Sequence, residues 1–415
     1  ANFWKLYEYF IRKSAGLGRS PTEPDKDIYD HRYLHCDVLV VGGGISGIIA
    51  AKTAAQNNLN TVLIDDKNIL GGTTLYQQNE CFKINNSYSN EWLKKEISTL
   101  NSFKNLNIKT RTSLAAYHSY NYLLARENLT DHLDFNEKKN KIRQRLWKIR
   151  AKKVIIATGA IERPLIFSNN DRPGIMLSSS IKKYIDYYGV KCGQKISLFT
   201  NNDSAYETAI SLNNSGVIVN SVIDIRNKTN SLIVKQAEKL GIKIHWKSTV
   251  VNTNGYKKIN SIEIMKLSDD GTAVVGSKTK EQCDCLGISG GWTPRVHLFT
   301  QSGGKLKFRD EDNVFLPDKS DLDQISIGSC NGDFELDDVI KNSVNLTNKF
   351  LKVNNNDYEK LEIISSKEID KKNIWLLPSD KPLGKTKPFL DFQNDSTAND
   401  VKLALREGFK SIEHV

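Results

Sequence analysis

The sequence predicts an α/β protein with two tandem Rossmann-like units, the second inserted in the first, and a small α-rich C-terminal segment. Three observations support this fold class. An apolar, β-branched run at 38–41 leads directly into a glycine-rich loop at 42–47. A second strand–helix–strand pattern begins at residue 195. Two further apolar strands, at 153–156 and 325–327, are expected to rejoin the first sheet.

The first unit carries the pattern of a phosphate-binding turn. Gly42 permits the tight turn, Gly44 lets the backbone approach a pyrophosphate, and Gly47 lets the following helix pack closely on the strand. The helix predicted at 45–56 directs its N-terminal N–H groups and partial positive charge at the phosphates. Asp65 ends the next strand, where a carboxylate can accept hydrogen bonds from ribose hydroxyls. This combination indicates a dinucleotide site.

A second glycine pair follows Asp65. Gly71 and Gly72 permit another close backbone approach, and Thr73 offers a hydroxyl. In disulfide reductases of related design, redox cysteines follow this loop, and the sequence has no such pair here. The sequence therefore argues against that class of enzyme.

The strand at 153–156 ends in a small-residue turn, Thr158-Gly159. Such a turn is typical of a two-dinucleotide-binding-domain flavoprotein fold, in which it leads from the first sheet into the second domain. There the strand predicted at 195–199 is followed by the loop 200–204, which contains no glycine. Asp203 in this loop would repel a phosphate. We therefore expect the second unit to keep the fold and to bind no dinucleotide.

Composition shifts and the re-entrant strands suggest the domain boundaries. After residue 354 the chain turns polar, and Ser396 is expected to cap a helix at 397–407. The expected division is an N-terminal helix and linker at 1–35, the first part of the dinucleotide-binding domain at 36–165, the inserted domain at 166–282, the second part of the first domain at 283–350, and a linker with the start of a C-terminal domain at 351–415.

Composition argues against several classes of protein. The net charge is +11, but lysines are spread along the chain without a basic stripe interleaved with aromatics, so no nucleic-acid partner is expected. No apolar run reaches the length of a membrane span, so no membrane partner is expected. The six cysteines include no C-x-x-C pair, which disfavours a metal site and indicates a reducing, cytoplasmic compartment. The histidines show no nucleophile partner, so no catalytic residue is assigned.

Several strings are specific beyond the fold: ATGAIERP at 157–164, NDRPGIML at 170–177, TNNDSAY at 200–206, SGGWTPRVHLF at 289–299 and DFQND at 391–395. Together they resemble the α subunit of heterotetrameric sarcosine oxidase, from the linker at 21–25 onward. That subunit is much longer, so we expect a fragment without most of a ferredoxin-like N-terminal domain and without the C-terminal folate-binding domain.

The resemblance implies a function. The family's complex is an oxidoreductase that converts sarcosine, tetrahydrofolate and O₂ into glycine, methylenetetrahydrofolate and H₂O₂. It implies partner β, γ and δ subunits, with FAD and covalent FMN on β or at its interface with α, and amine oxidation on the β subunit. Tetrahydrofolate would bind the absent C-terminal domain. The present segment would hold a tightly bound NAD⁺ that does not turn over.

The glycine loop and the resemblance together give the expected cofactor-binding residues. They are Gly42, Gly43, Gly44, Ser46, Gly47, Asp65, Asp66, Lys67, Gly72, Thr73, Leu114, Thr158, Gly159, Ser329, Phe334 and Leu336.

Three alternatives compete with this interpretation. A stand-alone FAD-dependent NAD(P)H oxidoreductase would need a glycine-bearing loop at 200–204 and a redox relay after Gly72, and both are absent. An α-type subunit of an opine, amino-acid or cyanide-forming oxidase commonly carries clustered cysteines, and none follows Asp391. A scaffold subunit without a ligand would leave the glycine loop and its acid without a use.

Overall fold

A computed structural model describes residues 3–16, 18, 21–77, 79–368 and 370–414. In these residues the α-helices are α1 (Trp4–Ser14), α2 (Ile45–Gln56), α3 (Ser89–Leu100), α4 (Phe135–Lys138), α5 (Ser178–Tyr188), α6 (Ser204–Asn214), α7 (Leu232–Lys239), α8 (His297–Gln301), α9 (Leu336–Leu351) and α10 (Ala398–Arg406). Short 3₁₀ turns lie at Gly72–Tyr76, Gly328–Asn331 and Leu383–Lys385.

The strands run through both units and the C-terminal segment. They are β1 (Ile28–Val41), β2 (Thr61–Ile64), β3 (Phe82–Ile84), β4 (Ser87–Tyr88), β5 (Leu106–Lys109), β6 (Thr112–His118), β7 (Tyr122–Asn128), β8 (Ile142–Ile156), β9 (Ala160–Glu162), β10 (Ile175–Leu177), β11 (Lys195–Thr200), β12 (Ile218–Asp224), β13 (Ile244–His245), β14 (Ser248–Asn254), β15 (Ser261–Leu267), β16 (Val274–Gln282), β17 (Cys285–Ser289), β18 (Trp292–Pro294), β19 (Lys305–Arg309), β20 (Val314–Lys319), β21 (Gln324–Ser326), β22 (Ile363–Ser365), β23 (Phe389–Asp391) and β24 (Ser396–Thr397).

The first sheet has a parallel core and an antiparallel ribbon. Its order is β5-β2-β1-β8, and β8 then has two neighbours on the same side. The antiparallel β7 pairs with its first half and the parallel β21 with its second half. This change from an antiparallel to a parallel neighbour agrees with the sequence of β8. The strand alternates polar and apolar residues in its first part and is apolar and fully buried at 154–156.

Helix α2 is buried on nearly every side. Ile48, Ile49 and Ala50 have no exposed surface, and the helix packs between the first sheet and α9. A helix that is apolar all round requires such a setting. The helix has the sequence ISGIIAAKTAAQ, and its many small residues let it lie close to both the first sheet and α9.

The second unit contains a parallel sheet of its own, in the order β10-β17-β11-β12-β13. This order corrects the expected return of the chain to the first domain at residue 283. Strand β17 lies between β10 and β11 in the second sheet, so the chain leaves that sheet only after Ser289. Its run of buried small and apolar residues has the same composition as a strand of the first sheet, which explains the wrong boundary.

The two connections between the units lie side by side. Strand β9, leaving the first unit, pairs antiparallel with β18, returning to it. Next to this pair, Gly290 donates its backbone N–H to the carbonyl of Arg163 at 2.7 Å.

Two boundaries near the ends also differ from expectation. Strand β1 begins at Ile28, so part of the expected linker 1–35 belongs to the first sheet. The C-terminal helix is capped by Thr397 rather than Ser396. Both residues also form the second strand of a short β-hairpin, Ser396 opposite Asp391 and Thr397 opposite Phe389. Thr397 donates its backbone N–H and its hydroxyl to Asp400.

In the part of the chain that the structure describes, none of the helices is both long enough and apolar enough to cross a membrane.

We predict that Gly290→Ala destabilises the protein. A Cβ at this position would lie 2.7 Å from the carbonyl oxygen of Pro164, which is backbone and can move only with the connection. We expect a loss of about 1–3 kcal/mol in the free energy of unfolding, measured by urea denaturation. Gly384→Ala is the control, because a Cβ there meets nothing within 4 Å. Equal stability of the two variants would contradict the prediction.

Candidate functional site

A cleft with a volume of about 770 Å³ lies between the two units. One wall comes from the glycine loop, the end of β2 and the turn after β8. The other comes from α5, the start of α6 and part of the segment that follows α9. This volume is in the range of small-molecule and cofactor sites.

The N-terminus of α2 opens onto this cleft. Its N-cap is Gly44, which has extended backbone angles (φ −74°, ψ −178°) and no side chain to cap the first N–H groups of the helix. A Cβ built on Gly44 meets nothing within 4 Å, so the space beside it is open. This is the geometry that an anion needs to approach backbone N–H groups and a helix dipole.

Two other glycines hold this loop in place from behind. Gly42 has a φ of +106°, and a Cβ there would lie 2.3 Å from the carbonyl oxygen of Ala157. A Cβ on Gly47 would lie 1.8 Å from the carbonyl oxygen of Gly42. The close contact that the sequence predicts between helix and strand is therefore present.

Asp65 links the glycine loop to the end of β2. Its carboxylate accepts hydrogen bonds from the backbone N–H of Gly43 at 2.6 Å and of Lys67 at 2.8 Å. Burial raises the pKa of Asp65, and these two hydrogen bonds oppose the rise. They use two of the roughly four lone-pair positions of a carboxylate, which leaves acceptors for the hydroxyls of a ligand.

The structure brings most of the other expected residues to the same cleft. Gly72 begins the 3₁₀ turn that touches the glycine loop, and Lys67 pairs with Asp66 at 2.8 Å. The expected residues that line the cleft are Gly42, Gly44, Ser46, Asp65, Asp66, Lys67, Gly72, Thr73, Leu114, Thr158, Gly159, Ser329 and Phe334.

Three expected residues lie behind the cleft wall. Gly43 contributes its N–H to Asp65, and Gly47 contributes the close packing of α2. Leu336 is the first residue of α9 and is buried in the core. Each supports the wall without lining the cleft.

The corresponding loop of the second unit is occupied by its own side chains. The side-chain oxygen of Asn202 accepts from the backbone N–H of Ser204 at 3.0 Å, at the start of α6. Asp203 forms an ion pair with Arg226 at 2.9 Å, and Arg226 also pairs with Asp224 at 2.8 Å. Arg226 is only 1% exposed, and a charge buried this deeply needs such partners. Asp203 therefore neutralises an internal cation, a role that differs from the expected repulsion of a phosphate.

The cleft is also lined by buried and half-buried carboxyl groups that the sequence did not predict. Glu162 accepts from the backbone N–H and the hydroxyl of Ser179 at 2.7 and 2.6 Å. Burial raises the pKa of Glu162, Glu207 and Glu335, and raises that of Glu368 to about 7. These residues come from separate elements, so no local spacing in the sequence could have grouped them.

The described residues of the cleft wall provide groups that can bind a ligand. Among the described residues, no histidine or cysteine lines it. Nor do the described residues contain a group of three or more His, Cys, Asp or Glu side chains that could hold a metal ion. The arrangement can bind and orient a ligand with phosphate and hydroxyl groups.

Residues 36–320 match the family model described as pyridine nucleotide-disulphide oxidoreductase. The chain belongs to this family. Solved structures agree on the fold: L-proline dehydrogenase from P. horikoshii is similar with a TM-score of 0.59 and 18% identity over 94% of this chain and 70% of that chain. Thioredoxin reductase from Lactococcus lactis gives a TM-score of 0.56 and 19% identity over 76% of this chain and 98% of that chain. The predicted fold class is confirmed.

Curated relatives narrow the comparison within the family. The chain is 32% identical to sarcosine oxidase subunit alpha of Corynebacterium sp. (strain P-1) over 409 residues, covering 96% of this chain and 42% of the relative. It is 30% identical to the same subunit of Rhizobium meliloti (strain 1021), covering 100% of this chain and 40% of the relative. Residues 385–415 match the sarcosine oxidase A3 domain. The expected likeness to this subunit is confirmed, and the chain spans about two fifths of its relatives' length.

We predict that stability falls between about pH 4.5 and pH 7 through Glu368. Its pKa in the folded protein is about 7, raised from 4.5 mainly by burial, so the folded state keeps a proton that the unfolded state has already lost. Each unit by which the pKa is raised corresponds to about 1.4 kcal/mol in the free energy of unfolding. Glu368→Gln should flatten this part of the curve of unfolding free energy against pH.

The exposed Glu359 provides the matched control. Glu359→Gln should follow the wild-type curve throughout. If Glu368→Gln also follows it, Glu368 does not titrate as stated.

Proposed function

We propose that this chain is the NAD⁺-holding portion of the α subunit of a sarcosine oxidase complex. One observation carries the proposal: the N-terminus of α2 is open at Gly44 beside the acceptor Asp65, whereas the matching loop of the second unit is filled by its own side chains. A dinucleotide therefore fits the first unit and not the second. The similarity to sarcosine oxidase α subunits supports NAD⁺ as that dinucleotide.

Different residues of the cleft would bind different parts of this ligand. The N–H groups at the start of α2 would bind the pyrophosphate, with Ser46 and Ser329 beside them. Asp65 would accept from the ribose hydroxyls. Leu114, Thr158, Gly159 and Phe334 would contact the remainder of the molecule. Bound NAD⁺ would supply a nicotinamide group.

The catalytic step would take place on another chain. The relatives are named as alpha subunits, which supports an assembly with other subunits. In this proposal those partners are β, γ and δ subunits. In this proposal FAD and FMN belong to the β subunit or its interface, and tetrahydrofolate to a further domain of the α subunit. The substrate would be sarcosine, oxidised with O₂.

The dinucleotide site can be tested with Gly44→Val. The position has an extended backbone and open space, so the valine should be tolerated in folding and should obstruct the approach of a pyrophosphate. We expect NAD⁺ binding, measured by calorimetry after removal of any bound nucleotide, to weaken at least about tenfold, which corresponds to about 1.4 kcal/mol. Gly384→Val is the control, since it is equally open and lies outside the cleft.

The identity of the ligand follows from the material released on denaturation. Mass spectrometry of the supernatant should identify NAD⁺, and the purified protein should be colourless. A yellow protein that releases FAD would favour a flavin in the first unit. Unchanged NAD⁺ affinity in Gly44→Val would contradict the proposed site.

We also predict that this chain alone oxidises nothing. Sarcosine and O₂ added to the purified protein should give no peroxide above the level without sarcosine, because the described residues that line the cleft include no redox cysteine and no histidine to act as a general base. A peroxidase-coupled assay measures this directly. Sarcosine-dependent peroxide from the chain by itself would contradict the assignment of catalysis to a partner.

A further inference from the structure

The segment after α9 returns to the junction of the two units and touches both. We call residues 363–368 and 370–372 the strap. Its first part, β22, pairs antiparallel with β3 of the first unit, with Ile363 opposite Ile84 and Ser365 opposite Phe82. The strap then crosses to the second unit, where its side chains reach the N-termini of two helices.

Glu368 lies where a phosphate would bind the second unit. Its carboxyl oxygen accepts the backbone N–H of Asp203 at 3.2 Å, at the N-cap of α6, and lies 3.8 Å from a guanidinium nitrogen of Arg226. In a Rossmann-like unit the N-terminus of the first helix receives the phosphates. The strap thus places an acidic oxygen on the donor that a dinucleotide would need.

The strap binds the second unit at two further points. The hydroxyl of Ser366 accepts the backbone N–H of Ile233 at 3.2 Å, in the first turn of α7. The side-chain amide of Asn201 donates to the carbonyl of Lys372 at 3.0 Å. Together with the Glu368 contact, these bonds cover the same edge of the second sheet, beyond the ends of β11 and β12.

The same segment is anchored to the first unit. The backbone N–H of Glu368 donates to the carboxylate of Glu335 at 3.2 Å, just before α9. Lys371 pairs with Asp312 at 2.9 Å, in the turn between β19 and β20. One short segment therefore bonds to both units within a few residues, and rotation of one unit against the other would have to break these contacts.

The geometry points to an internal ligand: the strap occupies the phosphate position of the second unit, keeps a second nucleotide out and holds the two units in one orientation. The group that fills this phosphate position is the carboxyl group of Glu368, which belongs to the chain itself. The inference does not depend on which nucleotide the first unit binds.

The test is hydrogen exchange at the two backbone N–H groups that donate to the strap, those of Asp203 and Ile233. Glu368→Ala removes the acceptor and should speed exchange at Asp203 several-fold to about tenfold, as expected for the loss of one hydrogen bond. Glu368→Gln keeps an acceptor oxygen and should exchange like the wild type. Glu359→Ala, in the exposed chain before the strap, is the control and should change nothing.

Ser366→Ala tests the strap independently, should Glu368→Ala not fold. It should speed exchange at Ile233 to a similar degree, and both variants should be cut faster by trypsin after Lys367. Wild-type exchange rates at both positions in both variants would overturn the inference.

Nucleotide binding provides the second test, with NADH as the probe. Excess NADH should leave the rate of tryptic cleavage after Lys367 unchanged in the wild type, because the strap is not displaced. Faster cleavage on addition of NADH would show that a nucleotide can displace the strap, and would overturn the inference.

Discussion

The first unit depends on the absence of side chains where α2 meets the turn after β1. The carbonyl of Gly42 lies where a Cβ of Gly47 would be, and the carbonyl of Ala157 lies where a Cβ of Gly42 would be. This contact seats the helix against the strand and directs its N-terminus into the cleft. Because Gly44 adds no side chain, the donors at that terminus remain open.

The second unit shows that the same backbone fold does not provide the same site. It has the parallel strands and the helix that follows the first of them, but its loop residues bond inward. Arg226 is almost completely buried and is balanced by Asp203 and Asp224, an arrangement that uses charges for internal structure. The difference between the units lies in where polar groups find their partners, and the strap adds a partner from outside the unit.

Local sequence patterns predicted the first unit well. Strand, glycine loop, helix and acid are consecutive, so the spacing of residues in the chain sets their positions in space. Helix α2 therefore has the predicted bounds, strand β2 ends next to Asp65, and the expected residues near them line or support one cleft. The later strand at β17 was assigned to the wrong sheet, because a buried parallel strand looks the same in either sheet and only pairing distinguishes them. The acids that line the cleft, such as Glu162 and Glu368, were missed for a related reason, since they meet only after the two units pack together.

The sequence by itself determined the α/β class, the glycine loop of the first unit and the absence of glycine from the loop 200–204 of the second. These features depend on residues that are neighbours in the sequence, through the conformational freedom of the backbone and the charge of the side chains. Only the tertiary structure decided which sheet receives β17, which acids share the cleft and what covers the second unit. Those outcomes depend on contacts between residues far apart in the chain, and the contact of Glu368 with Asp203 joins positions separated by more than a hundred and sixty residues.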